Sequence, residues 1–355
     1  IDWREWEIEL VHGPAELIDA ADKLIRGSGA TPSPFPSKLA QALDRRLRGL
    51  PSWPEFGAFT PKSKARDVVH AHLAEQVGAI IEWDPKVRTD EYDAVHKMRV
   101  ATRRLRSALA TFRPLLDRTR TDPLRDELKW IATELGGARD AEVLRERLLA
   151  EIAAEPDELV LGPIASRIGN ELQADHQKAH AELVEALNSA RYFRLLDRLD
   201  GLVLHPPFTK DGKRKARKAL TACVRHAYRR VSNLVDAGPP GGPAHRDEWY
   251  HEIRKASKRL RYAGESVAPA FGEPAVVLAE RAEALQEMLG EHQDSVVART
   301  ALRNLGVRLH LDGDNAFTIG RLHALEQVRG ASAIAGFEQA WTALCQPATT
   351  RWLRP

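Results

Sequence analysis

The stretch His96-Lys97-Met98-Arg99-Val100-Ala101-Thr102-Arg103-Arg104-Leu105-Arg106 carries five basic residues, a histidine at its head and no acid. Placed on a helix at about 100° per residue, His96, Arg99, Arg103 and Arg106 fall within roughly a quarter-turn of one another. Met98, Leu105, Leu109 and Phe112 fall on the far side, so one face suits a core and the adjoining face is cationic. At ~1.5 Å rise per residue the basic stripe is on the order of 15 Å long, which fits an extended anion better than a single phosphate.

The pattern recurs. His251-Glu252-Ile253-Arg254-Lys255-Ala256-Ser257-Lys258-Arg259-Leu260-Arg261 has the same form, H-x-[MI]-R-x-A-[ST]-[RK]-R-L-R, 155 residues further on. A lone basic amphipathic helix is an unspecific signal, because solvated charged faces are common. Two copies with histidine, arginines and apolar positions in register are specific. The repeat extends outward: Lys64-Ala65-Arg66 answers Lys215-Ala216-Arg217, and Leu135-Gly136-Gly137-Ala138-Arg139-Asp140 answers Leu289-Gly290-Glu291-His292-Gln293-Asp294. A nearly constant offset means two copies of one helical unit. Gly136 and Gly290 read as helix C-termini, and Asp140 and Asp294 as N-caps of the helices that follow.

The rest of the chain agrees with an all-α protein. Of 355 residues, 29% are charged and only 6% aromatic. Net charge is +3, from 53 basic and 50 acidic residues, so a polyanion site must come from segregated charge and not from a polycationic whole. Two cysteines, Cys223 and Cys345, are too few for a disulfide framework and point to a reducing cytoplasm. No apolar run of about 18 residues suggests a membrane span. Periodicity predicts helices near 62–82, 91–113, 122–136, 140–153, 158–190, 192–204, 210–236, 245–268, 274–290, 294–305, 313–330 and 332–345. His176 and His180 share a helix face beside Asp175, but without the glutamate of H-E-x-x-H they read as a solvated face, as do His70, His72, His310 and His323. No metal site, cofactor site, P-loop, dinucleotide fingerprint or nucleophile elbow is predicted.

Residues 1–50 differ. Trp3 to Leu10 alternates as a strand with Glu5, Glu7 and Glu9 on one face, and two short helices are predicted after it, over 14–25 and 38–48. W-R-E-x-E-x-E-L and the S-K-L-x-x-A-L of Ser37 to Leu43 resemble the C-terminal end of a CYTH (triphosphate tunnel) domain, an α+β barrel whose other strands are missing here. The resemblance therefore implies a remnant without catalysis, and the three glutamates are not assigned a metal. Residues 51–60 read as a Pro/Gly/aromatic linker.

From residue 61 to 346 the doubled motif followed by L-G-x-x-x-D resembles the CHAD domain, the "conserved histidine α-helical domain". The resemblance implies two pseudo-twofold-related four-helix bundles, here repeat one over 61–205 and repeat two over 206–346, with a tail at 347–355. It implies a non-enzymatic module that binds inorganic polyphosphate around a central groove or pore, in the cytoplasm and associated with polyphosphate granules. Phosphate or sulfate is expected to substitute in crystals. Carried over by position, the ligand-binding residues are His96, Arg99, Arg103, Arg106, His251, Arg254, Lys258 and Arg261. A second set is Lys64, Arg66, Arg104, Arg139, Lys215, Arg217 and Arg259. The two stripes are expected to face each other. Physical chemistry agrees: polyphosphate offers no base to stack on, so it needs many Lys and Arg donors on rigid helices. The competing readings are a nucleic-acid-binding groove, disfavoured by the absence of aromatics among the basic positions, and the regulatory or substrate-feeding part of a larger triphosphatase.

Overall fold

The structure is a computed structural model that describes residues 6–8, 10–14, 16–33, 53–162, 164–242 and 245–354. The chain forms two compact units, residues 1–52 and 53–355.

In the first unit the described helix is α1 (Glu16–Gly27), an amphipathic helix of about three turns with no buried residue. The strand expected over 3–10 is not formed where the chain is described, since residues 6–8 and 10 have no regular structure. Alternation alone cannot hold a strand that has no neighbour to receive its backbone hydrogen bonds. Glu5, Glu9 and the helix expected over 38–48 lie outside the described residues.

The second unit is all helix apart from isolated backbone bridges among the described residues. Repeat one supplies α2 (Ala65–Arg88), α3 (Ala94–Thr111), α4 (Arg118–Ala154), α5 (Ile164–Leu187) and α6 (Ala190–Leu204). Repeat two supplies α7 (Ala216–Ala237), α8 (Arg246–Phe271), α9 (Glu273–Leu311), α10 (Phe317–Ala333) and α11 (Phe337–Cys345). In each repeat the first helix packs on the second, the second on the third and the third on the fourth. Across the repeats, α2 and α3 pack on α7 and α8. One apolar core therefore runs through both halves, and the apolar faces of the two motif helices are its centre. Met98, Leu105, Leu109 and Phe112 are fully buried, as are Ile253, Leu260 and Val267. Burying such a side chain contributes about 1.5–3 kcal/mol, so the hydrophobic face fixes which way the basic face must point.

Backbone bonds tie the repeats at equivalent points. The Ala65 N–H donates to Arg214 O and the Ala216 N–H to Ser63 O, both at 2.8 Å, with Lys64 and Lys215 forming a bridge between them.

Two pairs of expected helices turn out to be single ones. The segments predicted at 122–136 and 140–153 are one 37-residue helix, α4, and those at 274–290 and 294–305 are one 39-residue helix, α9. Gly136 and Gly290 are thus mid-helix, not C-termini, and Asp140 and Asp294 are not caps. A mid-helix glycine costs only about 1 kcal/mol relative to alanine, which packing on both sides outweighs. The cap of α4 is Asp117, whose side chain accepts from the Thr119 N–H.

The far ends of these long helices meet in a second apolar cluster, where Leu148, Ile152 and Ile168 pack with Leu302, Leu309 and Leu322. Beside it lies an ion network. Arg147 donates to Glu326 at 2.6 and 2.8 Å and to Glu291 at 2.7 Å, and Arg329 donates to Glu326 at 2.8 Å and to Glu151. Burial pushes the Glu151 carboxyl upward, and its hydrogen bond to Glu326 adds to that. Burial acts on Glu326 in the same sense, but the hydrogen bonds from Arg147 and Glu151 outweigh it and the net shift is downward. Of the two, Glu151 is the one pushed toward its protonated form and Glu326 the one held toward its charged form.

The histidines expected on a solvated face include several structural ones. His180 Nε2 hydrogen-bonds Val87 O at 2.8 Å, at the C-terminal end of α2, with His176 beside it facing Asp90. His70 Nε2 bonds Val203 O at 2.7 Å with its ring against Phe56. Their apolar ring faces are half-buried, and a free helix-end carbonyl is a partner that charge periodicity cannot reveal. Cys223 and Cys345 are free thiols.

Candidate polyanion groove

The motif helices α3 and α8 pack against each other, so the two basic stripes do meet. Their meeting point is Arg103 and Lys258, the equivalent residues of the two copies. Lys258 is desolvated and faces Arg103, Arg254 and Arg99, which together push its amine down to about 6. Desolvation also lowers Arg103, and Arg99, Arg254 and Arg106 add to the effect, although the Tyr262 hydroxyl opposes it. Neither Arg103 nor Lys258 has an ion-pair partner among the described residues. Packing uncompensated cations together raises the energy of the free protein, and an anion is what relieves it.

Arg99 and Arg254 are held from behind by the L-G-x-x-x-D stretch. A Cβ on Gly136 would sit 3.8 Å from Arg99 Nη2, and one on Gly290 would sit 3.5 Å from Arg254 Nε. Each glycine is the floor on which a motif arginine lies. One turn on, Asp140 accepts from Arg99 Nη1 at 2.8 Å. Asp294 faces Arg254 and Lys258, although burial leaves its carboxyl above the usual range. The glycine and aspartate expected at helix ends thus lie mid-helix behind the motif arginines.

Two cavities open on either side of Arg103, Lys258 and Tyr262, which line both. The first, of about 280 Å³, adds Arg106 from α3, Arg125 from α4, Arg230 from α7, and Lys255 and Arg259 from α8. Its one carboxylate, Glu252, pairs with Lys255. Desolvation and the charge of Arg125 hold Arg106 below its usual range, and desolvation with Arg230, Arg125 and Arg106 does the same to Arg259. The second cavity, of about 570 Å³, contains His96, Lys97, Arg104 and Arg261 but also Glu75, Glu283 and Glu287. There Arg104 pairs with Glu265 at 2.9 Å, and Arg261 pairs with Glu265 and Glu283, both at 2.7 Å.

Of the eight first-set residues, Arg103 and Lys258 are thus central, Arg106 lines the basic cavity, and His96 and Arg261 line the other. Arg99, Arg254 and His251 line neither. His251 Nδ1 is 2.9 Å from Gln293 Oε1. Its counterpart His96 is desolvated and lies near Arg139, Lys97 and Arg99, which lower its pKa against the pull of Asp93. In the second set, Arg259 lines the basic cavity and Arg104 the other, while Arg139 pairs with Glu142 at 2.7 Å. Lys64, Arg66, Lys215 and Arg217 line neither cavity, and Arg66 lies 3.3 Å from Asp67.

Sequence reasoning missed Arg125, Arg230 and Tyr262. Arg230 corresponds to Ala79 in repeat one, and Tyr262 to Ser107, so a search for features common to both copies discards them.

A family profile described as "CHAD domain" matches residues 71–303. The chain belongs to the CHAD domain family. Two curated relatives from Mycobacterium tuberculosis, "Uncharacterized protein MT2285" of strain CDC 1551 / Oshkosh and "Uncharacterized protein Rv2226" of strain ATCC 25618 / H37Rv, are each 39% identical over 329 residues. The match covers 91% of this CHAD chain but 61% of either relative, so the chain spans about three fifths of their length. Among solved structures, "PptA from Streptomyces chartreusis" superposes with a TM-score of 0.65 at 22% identity, covering 79% of this chain and 100% of that one. The CHAD domain from the plant Ricinus communis superposes with a TM-score of 0.63 at 24% identity, covering 83% of this chain and 96% of that one. These likenesses establish the fold. Nothing in the comparisons supports a CYTH origin for residues 1–50, and the family match begins well beyond them. No helix among the described residues is long and apolar enough to cross a membrane.

Proposed function

We propose that this CHAD chain is a non-enzymatic binding module for inorganic polyphosphate, seated where α3 crosses α8. The observation that carries the reading is the uncompensated cation cluster: Arg103, Lys258, Arg106, Arg230 and Arg259 converge on one cavity, and none has an ion-pair partner among the described residues. The family's association with polyphosphate supports the same ligand. A flexible chain of phosphates can present an oxygen to each guanidinium in turn, and arginine favours such forked contacts.

The alternative ligand with the same charge is nucleic acid. The aromatic lining the basic cavity is Tyr262, and the Arg104 and Arg261 guanidinium groups lie 5.6 and 5.9 Å from its ring centroid. It is also nearly buried, so it offers no open face for base stacking. Long-chain polyphosphate is therefore expected to displace both duplex and single-stranded DNA at physiological salt. Competition at equal phosphate concentration tests this, and DNA outcompeting polyphosphate would overturn the reading.

The lowered amine of Lys258 adds a pH signature. With its free-state value at about 6, Lys258 is mostly neutral at pH 7.5. A bound polyanion favours the ammonium, so binding takes up a proton. Affinity should then fall as pH rises above about 6, by at most about tenfold per unit, and His96 contributes with the same sign at the acid end. Calorimetry in buffers of different ionisation enthalpy measures the uptake. Lys258→Arg, which stays charged throughout, should flatten the profile above pH 7. A slope that survives that substitution would assign the proton elsewhere.

A further inference from the structure

The two cavities beside Arg103 and Lys258 occupy equivalent places in the repeat, yet they differ in charge. Arg106 and Arg259 on one side correspond to Arg261 and Arg104 on the other. The first two have no carboxylate partner among the described residues, whereas the second two share Glu265 and Arg261 also holds Glu283. The repeat-one counterpart of Glu265 is Ala110, which lines the basic cavity. The counterpart of Tyr262 is Ser107. So at the two positions after the motif where one side carries a small neutral residue, the other carries an acid and a bulky ring. Tyr262 lies between the cavities and touches both.

We propose that the groove is one-sided: Glu265 and Glu283 are specificity-determining residues that cancel Arg104 and Arg261, so that an extended polyphosphate is held from the Arg106–Arg259 side and stops at Tyr262 instead of continuing across. The proposal rests on the polyphosphate reading and adds a direction to it. A chain of phosphates gains contacts only while it meets uncompensated cations. Beyond Tyr262 each guanidinium already has a carboxylate, and Glu75 and Glu287 further lower the local potential.

The test uses linear polyphosphates of defined length with the full chain. Wild-type affinity is expected to rise with length and reach a plateau once the basic side is filled. Glu265→Ala, which installs the repeat-one residue, combined with Glu283→Gln frees two guanidiniums. That variant should show no plateau at the same length, bind long chains about tenfold more tightly, and steepen the salt dependence by roughly 1.4 in slope, two charges at about 0.7 each. Short chains should change by less than about twofold. Should the double variant fail to fold, Glu265→Ala alone, which frees Arg104 and leaves Arg261 on Glu283, is expected to give roughly half the change in slope. Wild-type affinity that keeps rising with length, or folded variants with an unchanged length dependence and salt slope, overturns the one-sided groove and leaves the polyphosphate reading standing. Absence of wild-type binding at every length overturns both.

Discussion

Arg103→Glu together with Lys258→Glu is expected to lower affinity for long-chain polyphosphate by at least about a hundredfold while leaving helical content unchanged. Hydrogen bonds to charged groups contribute about 1.5–3 kcal/mol each, so losing two amounts to roughly 3 kcal/mol or more, and a hundredfold change is about 2.7 kcal/mol. Reversed charge then repels the remaining phosphates. The fold should survive because neither side chain has an ion-pair partner among the described residues: both face mainly cations, Asp294 near Lys258 being the exception, and Arg99, Arg254 and Arg106 gain carboxylates to pair with. Titration by polarisation alongside circular dichroism reads both quantities. A folded double variant with wild-type affinity would place the anion away from the α3–α8 crossing.

The second large effect concerns stability. Arg147→Met is expected to destabilise the protein by about 3–5 kcal/mol, the usual cost of removing one partner from a buried ion pair. Glu326 is 0% exposed and Glu151 is 6% exposed, so the substitution leaves two neighbouring carboxyl groups with only Arg329 between them. The cost should grow with pH, since protonation of the pair is the cheapest relief and alkaline solution removes it. Urea unfolding at two pH values measures this. A triple variant, Arg147→Met with Glu151→Leu and Glu326→Met, should recover much of the loss, because well-packed apolar replacements of buried ion networks are often neutral or stabilising. A loss below about 1 kcal/mol in the single variant would mean that the apolar cluster alone joins α4 and α5 to α9 and α10.

The motif helices were legible because two independent periodicities coincide on them. Apolar spacing fixed the buried face of α3 and α8, and the doubled histidine and arginine spacing marked the other face. The meeting of Arg103 with Lys258 follows from burying equivalent faces in one core. Other features lay in contacts that leave no local trace. Gly136 and Gly290 look like helix stops by propensity, but each lies mid-helix beneath a motif arginine, 37 residues back in the first copy and 36 in the second. Arg261 and Glu265 are four residues apart on one helix face, a spacing that permits their ion pair without requiring it. The second partner of Glu265 is Arg104, in the other repeat, and only the packing of α8 on α3 brings the two together. Arg230 was hidden for the opposite reason: its counterpart in repeat one is Ala79, not a basic residue, and internal similarity was the filter.

The reciprocal bonds from Ala65 to Arg214 and from Ala216 to Ser63 have the form of an isologous contact, in which each segment does to its equivalent what is done to it. The chain is in this respect a homodimer fused head to tail. A true homodimer cannot carry glutamate at one position and alanine at its symmetry mate, because one gene sequence writes both. Fusion removes that constraint. Once the copies are encoded separately, position 110 and position 265 can differ, and a surface that symmetry would have made identical on both sides acquires a front and a back.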